Sequence, residues 1–187
     1  TSAFVDLNNN GFPDIVLSND SGEVEILKNI NGEYFESMFP FPSKGNWMGL
    51  GIGDINNNGY PDLFLSNIGT TTPVDEYSLG DIKPDQDQTF SHVLLQNNGD
   101  FNFSDVTKEK NISGEGFGWG AVIEDLQLNG TNDILMGSGY LVNIMDHVYP
   151  QPCYQHSQLS DGTYKRIFEY NNFNFAQTPL LADINND

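Results

Sequence analysis

A nine-residue pattern recurs along the chain. Asp6-Leu7-Asn8-Asn9-Asn10-Gly11-Phe12-Pro13-Asp14 returns as Asp54-Ile55-Asn56-Asn57-Asn58-Gly59-Tyr60-Pro61-Asp62. A looser copy runs Asp125-Leu126-Gln127-Leu128-Asn129-Gly130-Thr131-Asn132-Asp133, and a fourth begins at Asp183-Ile184-Asn185-Asn186-Asp187. Oxygen-bearing side chains stand at positions 1, 3, 5 and 9, with glycine at position 6. That is the spacing by which a short loop wraps a hard cation. Its return makes the chain a repeat architecture.

The surroundings of the loops repeat as well. Short apolar runs follow them: Ile15-Val16-Leu17, Leu63-Phe64-Leu65 and Ile134-Leu135-Met136. Glycine-rich runs precede two of them, at Gly49–Gly53 and Gly118–Ile123, where backbones are expected to pack closely. Hairpin patterns, each with an apolar start, an Asn/Gly turn and an aromatic finish, run Leu27–Phe35 and Leu95–Phe103, with a weaker copy at Ile167–Phe175. Each repeat thus predicts about four strands, the content of one propeller blade. The expected fold is all-β: a partial β-propeller of about three four-stranded blades, with cation loops between strands. The repeats fall at roughly 1–47, 48–116 and 117–178, with a truncated one at 179–187, in a single unit 1–187. Two stretches break the period and are expected to be insertions, Ile68–Ser91 and Tyr140–Tyr164. Both ends of the sequence cut into repeats, so the chain is expected to be part of a larger protein.

The charge balance narrows the partners. Seven Lys+Arg face 26 Asp+Glu, a formal charge of −19. Such a surface repels nucleic acid and anionic membranes and attracts cations. No apolar run approaches the roughly 18 residues of a membrane span. With 37% hydrophobic and 12% aromatic residues, the chain can build cores. Cys153 is the only cysteine, so no intrachain disulfide forms.

Calcium takes six to eight oxygen ligands. Loop one offers Asp6, Asn8, Asn10, the Phe12 carbonyl and Asp14. Loop two offers Asp54, Asn56, Asn58, the Tyr60 carbonyl and Asp62. Loop three offers Asp125, the longer Gln127, Asn129, the Thr131 carbonyl and Asp133. Loop four offers Asp183, Asn185 and Asp187 before the sequence stops. Two carboxylates per loop imply weak binding, with a Kd of ~10⁻⁴–10⁻³ M. An EF-hand is excluded, because position 12 is Leu17, Leu65 or Met136, each inside a strand-like run, where that motif needs glutamate. A plain Asn-Gly turn accounts for Asn31-Gly32 and Asn98-Gly99, but not for aspartate at both positions 1 and 9 in three copies.

Other chemistry is thinner. His147, Cys153 and His156 fit no common zinc spacing. His92, beside Ser91 at an expected strand start, reads as structural. No G-x-S-x-G elbow occurs. The acids best placed for a glycosidase are already assigned to metal. Trp47, Phe117 and Trp119 read as core or blade contacts rather than a sugar platform. Sequons stand at Asn19, Asn102, Asn111 and Asn129.

The loops and their preceding strands resemble the FG-GAP (or VCBS) repeats of integrin α-subunit β-propellers, with Phe117-Gly118-Trp119-Gly120-Ala121 as the name-giving segment. The chain is most similar to the secreted cartilage acidic protein and ASPIC/UnbV group. The carrying residues are Met48-Gly49-Leu50-Gly51-Ile52-Gly53-Asp54, Phe103-Ser104-Asp105-Val106-Thr107 and His147-Val148-Tyr149-Pro150. The Asn-rich loops and Gln127 depart from that group's more Asp-rich pattern. The resemblance implies a seven-bladed propeller with calcium on one face, of which this chain supplies about three blades. It implies a secreted or cell-surface protein. The function expected is a non-catalytic module for adhesion, matrix or surface assembly, with a protein or glycan ligand on the propeller face or the insertions. The alternatives are a propeller body or accessory domain of a polysaccharide lyase or hydrolase, a lectin-like module, and a self-assembling coat subunit.

Overall fold

The computed structural model describes residues 1–70, 87–112, 114, 116–138, 140–142, 148–172, 178–182 and 184. The truncated fourth loop (Asp183, Asn185, Asp187), most of the acidic insertion after Ile68, and His147 lie outside the described residues. Within them the chain forms three antiparallel sheets and no helix.

Sheet one holds β1 (Ser2–Val5), β2 (Asp14–Ser18), β3 (Val24–Ile30) and β4 (Tyr34–Met38), in that order. Sheet two repeats it with β5 (Gly49–Gly53), β6 (Asp62–Ser66), β7 (Val93–Asn97) and β8 (Phe103–Asp105). Sheet three holds β9 (Gly118–Glu124), β10 (Asp133–Ser138), β12 (Val148–Gln158) and β13 (Tyr164–Asn172). A short β11 (Tyr140–Val142) continues the β10 pairing along β12 in the same register. Each sheet therefore meanders as four strands, the arrangement of a partial propeller.

Each cation-loop pattern spans the turn between the first two strands of its sheet. Its ninth residue is the first residue of the second strand: Asp14, Asp62 and Asp133. The turn of hairpin β3–β4 carries Asn31 and Gly32 at φ +55° and +76°, the left-handed pair that matches strand twist.

The period of two explains how the sheets stack. On β2, Asp14, Val16 and Ser18 are buried and Ile15 and Leu17 are half-buried. On β6 every residue is buried. Leu63 and Leu65 join Val16, Ile26 and Trp47 in a core between sheets one and two. Phe64 points the other way and joins Ile123, Ile134 and Tyr154 between sheets two and three. Trp47 fills the first core edge-on to Phe41 and donates its indole N–H to the Gly22 carbonyl at 3.0 Å. Glycines mark the closest backbone approach, between β5 and β9. A Cβ on Gly49 would fall on the Trp119 carbonyl, and one on Gly53 would lie 2.7 Å from Ile123. The Ser66 hydroxyl donates to the same Trp119 carbonyl.

Two expectations are corrected. The stretch 140–164 is not an irregular insertion: much of it is strand, including the eleven residues of β12. Pro150 and Pro152 signal a loop, yet pairing with β11 and β13 runs through them. The third hairpin does not turn within 167–172, the described part of the expected Ile167–Phe175. β13 runs unbroken through Asn172, and the turn lies at Leu159–Thr163. Gly162 takes φ +78° there, and the Asp161 carboxylate accepts the Thr163 N–H and hydroxyl.

Candidate metal centre

The three loops share one backbone. Positions 4 and 6 are left-handed in each: Asn9, Asn57 and Leu128 at φ +58°, +57° and +52°, then Gly11, Gly59 and Gly130 at +85°, +88° and +86°. A Cβ on any of these glycines would meet nothing within 4 Å, so glycine is needed there for its φ, not for room.

The turn brings the oxygens of positions 1 and 5, and of position 3 in loops one and two, onto backbone N–H groups. Asp6 Oδ2 accepts the Gly11 N–H at 2.7 Å and its Oδ1 the Asn10 N–H at 3.1 Å. Asp54 repeats this with Gly59 and Asn58 at 2.7 and 3.1 Å, and Asp125 with Gly130 and Asn129 at 2.7 and 2.9 Å. The N–H bonds from Asn129 and Gly130 hold the Asp125 carboxyl below its ordinary pKa. At position 5, Asn10, Asn58 and Asn129 each accept the N–H of position 7, at 2.8, 2.9 and 2.9 Å.

Position 9 lies under the loop. Asp14 and Asp62 are fully buried and Asp133 nearly so. Asp14 takes the Leu7 and Asn29 N–H groups at 3.0 and 2.8 Å. Asp62 takes those of Ile55 and Asn97 at 2.7 and 2.6 Å. Among the described residues no ion pair reaches these aspartates; the two that form, Lys28–Glu36 and Lys44–Glu23, lie elsewhere. Burial therefore pushes the Asp62 carboxyl up to about 6. The Asn97 and Ile55 N–H bonds oppose the rise, repulsion from Asp54 adds to it, and the charge of Lys110 is the smallest influence.

Each carboxylate oxygen that accepts one N–H retains a second lone pair. Loops one and two thus keep oxygens with capacity left to donate, in aspartates that no ion pair reaches among the described residues. Among the described residues no three His, Cys, Asp or Glu side chains converge. A cation here must therefore draw on amide and carbonyl oxygens beside the two carboxylates of each loop. Zinc at Cys153 and His156 likewise finds no third such side chain among the described residues. The Cys153 sulfur accepts the Ser138 N–H at 3.3 Å, and His156 is buried with neither ring nitrogen partnered.

Loop three is built differently. The Leu126 N–H goes to the Glu124 carbonyl instead of to Asp133. The Gln127 amide donates to Ser157 at 2.9 Å, and its Oε1 accepts from Asn129 at 3.3 Å. Asp133 accepts the Ser157 hydroxyl and the Gln158 N–H on one oxygen, at 2.8 and 3.1 Å, and the Gln155 amide on the other at 3.4 Å. Protein donors already occupy much of its oxygen set.

Position 7 ties each of the first two loops to its own hairpin. The Phe12 ring lies 3.2 Å from where a Cβ on Gly32 would sit, and Tyr60 lies 3.0 Å from that of Gly99. Thr131 has no ring to offer. The loops are also joined to one another. Asn9 donates to the Gly59 carbonyl at 2.8 Å and Asn132 to the Asp54 carbonyl at 2.7 Å. Asn97 donates its amide to the Leu7 carbonyl at 2.8 Å, and Gln158 to the Ile55 carbonyl at 2.7 Å. Asn29, Asn97 and Gln158 are absent from the sequence-derived set. The repeated Leu27-Lys28-Asn29 and Leu95-Gln96-Asn97 is the signal that marks the first two; nothing local marks Gln158.

Residues 6–65, which span loops one and two and the hairpin between them, match the family model described as an FG-GAP-like repeat. The match supports the FG-GAP repeat family as the class of this part of the chain, a β-propeller module. A search of curated proteins found no match. No helix among the described residues is long and apolar enough to cross a membrane.

Proposed function

We propose that this chain is a non-catalytic, calcium-stabilised portion of an extracellular β-propeller, in the manner of the secreted FG-GAP repeat proteins, and serves adhesion, matrix or surface assembly. The observation that carries the reading is the buried position-9 aspartate of loops one and two, each without a cationic side chain beneath a position-1 aspartate. Buried charge without a counter-ion is costly. A bound divalent cation would remove that cost at both positions together. Asp6, Asn8, Asn10, the Phe12 carbonyl and Asp14 would hold it in loop one. Asp54, Asn56, Asn58, the Tyr60 carbonyl and Asp62 would hold it in loop two. Loop three, with its oxygens engaged by Ser157, Gln158 and Asn129, would bind more weakly. Calcium would supply charge neutralisation and fix the loop backbones, leaving a rigid face for a protein or glycan ligand. Calorimetric titration with calcium at neutral pH tests the reading. Two sites in the ~10⁻⁴ M range are expected, and loss of both in Asp6→Ala/Asp54→Ala. Absence of any calcium heat would sink it.

A further inference from the structure

The hydrogen bonds between loops form one continuous series. Asp133 accepts the Gln158 N–H, and the Gln158 amide donates to the Ile55 carbonyl at 2.7 Å. The Ile55 N–H donates to Asp62 at 2.7 Å. Asp62 also accepts the Asn97 N–H at 2.6 Å, and the Asn97 amide donates to the Leu7 carbonyl at 2.8 Å. The Leu7 N–H donates to Asp14 at 3.0 Å. All three position-9 carboxylates are thereby linked through two side-chain amides and two position-2 residues. Asn97 is fully buried, and its remaining atoms are engaged as well: Oδ1 accepts the Gly99 N–H at 3.0 Å and Nδ2 also reaches the Pro61 carbonyl at 3.2 Å. It has no slack with which to absorb a shift of Asp62 on its own.

We infer that Asn97 and Gln158 are positioning residues that couple the loops, so that a cation in one loop raises the affinity of the next. The inference rests on the calcium reading above. A cation that draws on the Asp62 carboxylate fixes the Asn97 and Ile55 N–H groups, and with them Leu7 in loop one. Loop two is the centre of the series. From the other sheets it receives Asn9 on Gly59, Asn132 on Asp54 and Gln158 on Ile55, where loop one, among the described residues, receives Asn97 alone from another sheet. It is the better pre-organised loop and fills first.

Tyr60 makes loop two separately readable. It is the only tyrosine at position 7, where loops one and three have Phe12 and Thr131. Tyr164 also touches loop three, donating to the Asn132 carbonyl at 2.9 Å, so the part of the tyrosine-sensitised Tb³⁺ emission that is lost in Tyr60→Phe reports loop two, and calcium competition for that part gives its affinity for that ion. Disabling loop one with Asp6→Ala is expected to weaken loop two about five-fold or more, the usual range of site coupling. In Asn97→Ser, whose hydroxyl is too short to reach Leu7, the same Asp6→Ala step is expected to change loop two less than two-fold. Gln158 is only half-buried, so Gln158→Met tests the other link if Asn97→Ser does not fold. It should cancel the effect of Asp125→Ala on loop two. A merely structural role would shift affinities without abolishing this dependence of one loop on another. Loop-two affinities within two-fold in wild type and Asp6→Ala overturn the coupling and leave the calcium reading standing. Absence of both Tb³⁺ emission and calcium heat from the wild type removes the two together.

Discussion

Leu128 occupies the position that asparagine holds in the other two loops. Its φ is +52° and its side chain is 84% exposed, so it carries the left-handed penalty with no burial in return. Leu128→Asn is expected to stabilise the fold by about 1 kcal/mol, read as a higher denaturation midpoint at unchanged slope. His156 makes the fold sensitive to a fall in pH. Burial takes its pKa from 6.5 to about 4, with further lowering from the charges of His92 and Arg166. The unfolded chain then binds a proton that the folded chain refuses. Stability is full above about pH 6.5, falls as pH drops toward about 4, and levels below that. The loss is about 3 kcal/mol for this group. The stability difference between wild type and His156→Phe, measured from pH 7.5 to 4, should follow that course; a difference independent of pH would contradict it.

At the level of strands and loops, glycine decides how closely sheets two and three approach. A Cβ on Gly49 meets the Trp119 carbonyl, which is backbone and cannot swing aside. Gly49→Ala is expected to cost about 3 kcal/mol or more, whereas Gly51→Ala, whose nearest neighbour is an Ile123 carbon at 3.3 Å, should cost less. Equal costs in chemical denaturation would contradict this account. The same scale shows what the sequence could tell. The loop pattern, the short strand after it and the glycine run before it are local chemistry, and they appear where they were read. The third hairpin was misplaced because aromatic and asparagine residues at 170–173 imitate a turn that Asp161-Gly162 makes. The prolines of β12 imitated a loop. The amides that join the loops could not be read at all. Asn97 lies 90 residues from Leu7 and Gln158 lies 103 from Ile55, and no spacing announces such a pair.

For the whole molecule, the proposed calcium would act together with charge. A chain with net charge −19 repels itself, and filling two loops removes four of those charges while fixing the loops. At 1 mM calcium and a Kd of ~10⁻⁴ M, each filled site contributes about 1.4 kcal/mol. Two sites should raise Tm by about 5–10 °C for a chain of this size. The comparison is of scanning calorimetry in millimolar calcium and in excess chelator; coincident curves would remove the structural role given to the ion. The three sheets do not share the risk of opening equally. The middle strands of sheet two, β6 and β7, have almost no side toward water: Leu63, Phe64, Leu65 and Leu94 have no exposed surface, while nearly all of β4 is exposed. In deuterium the backbone amides at 63–65 can therefore exchange only when the entire chain unfolds, whereas those of β4 exchange by local fraying. The middle strands are in that sense a built-in gauge, since the slowest-labelling amides measure the stability of the protein without any denaturant.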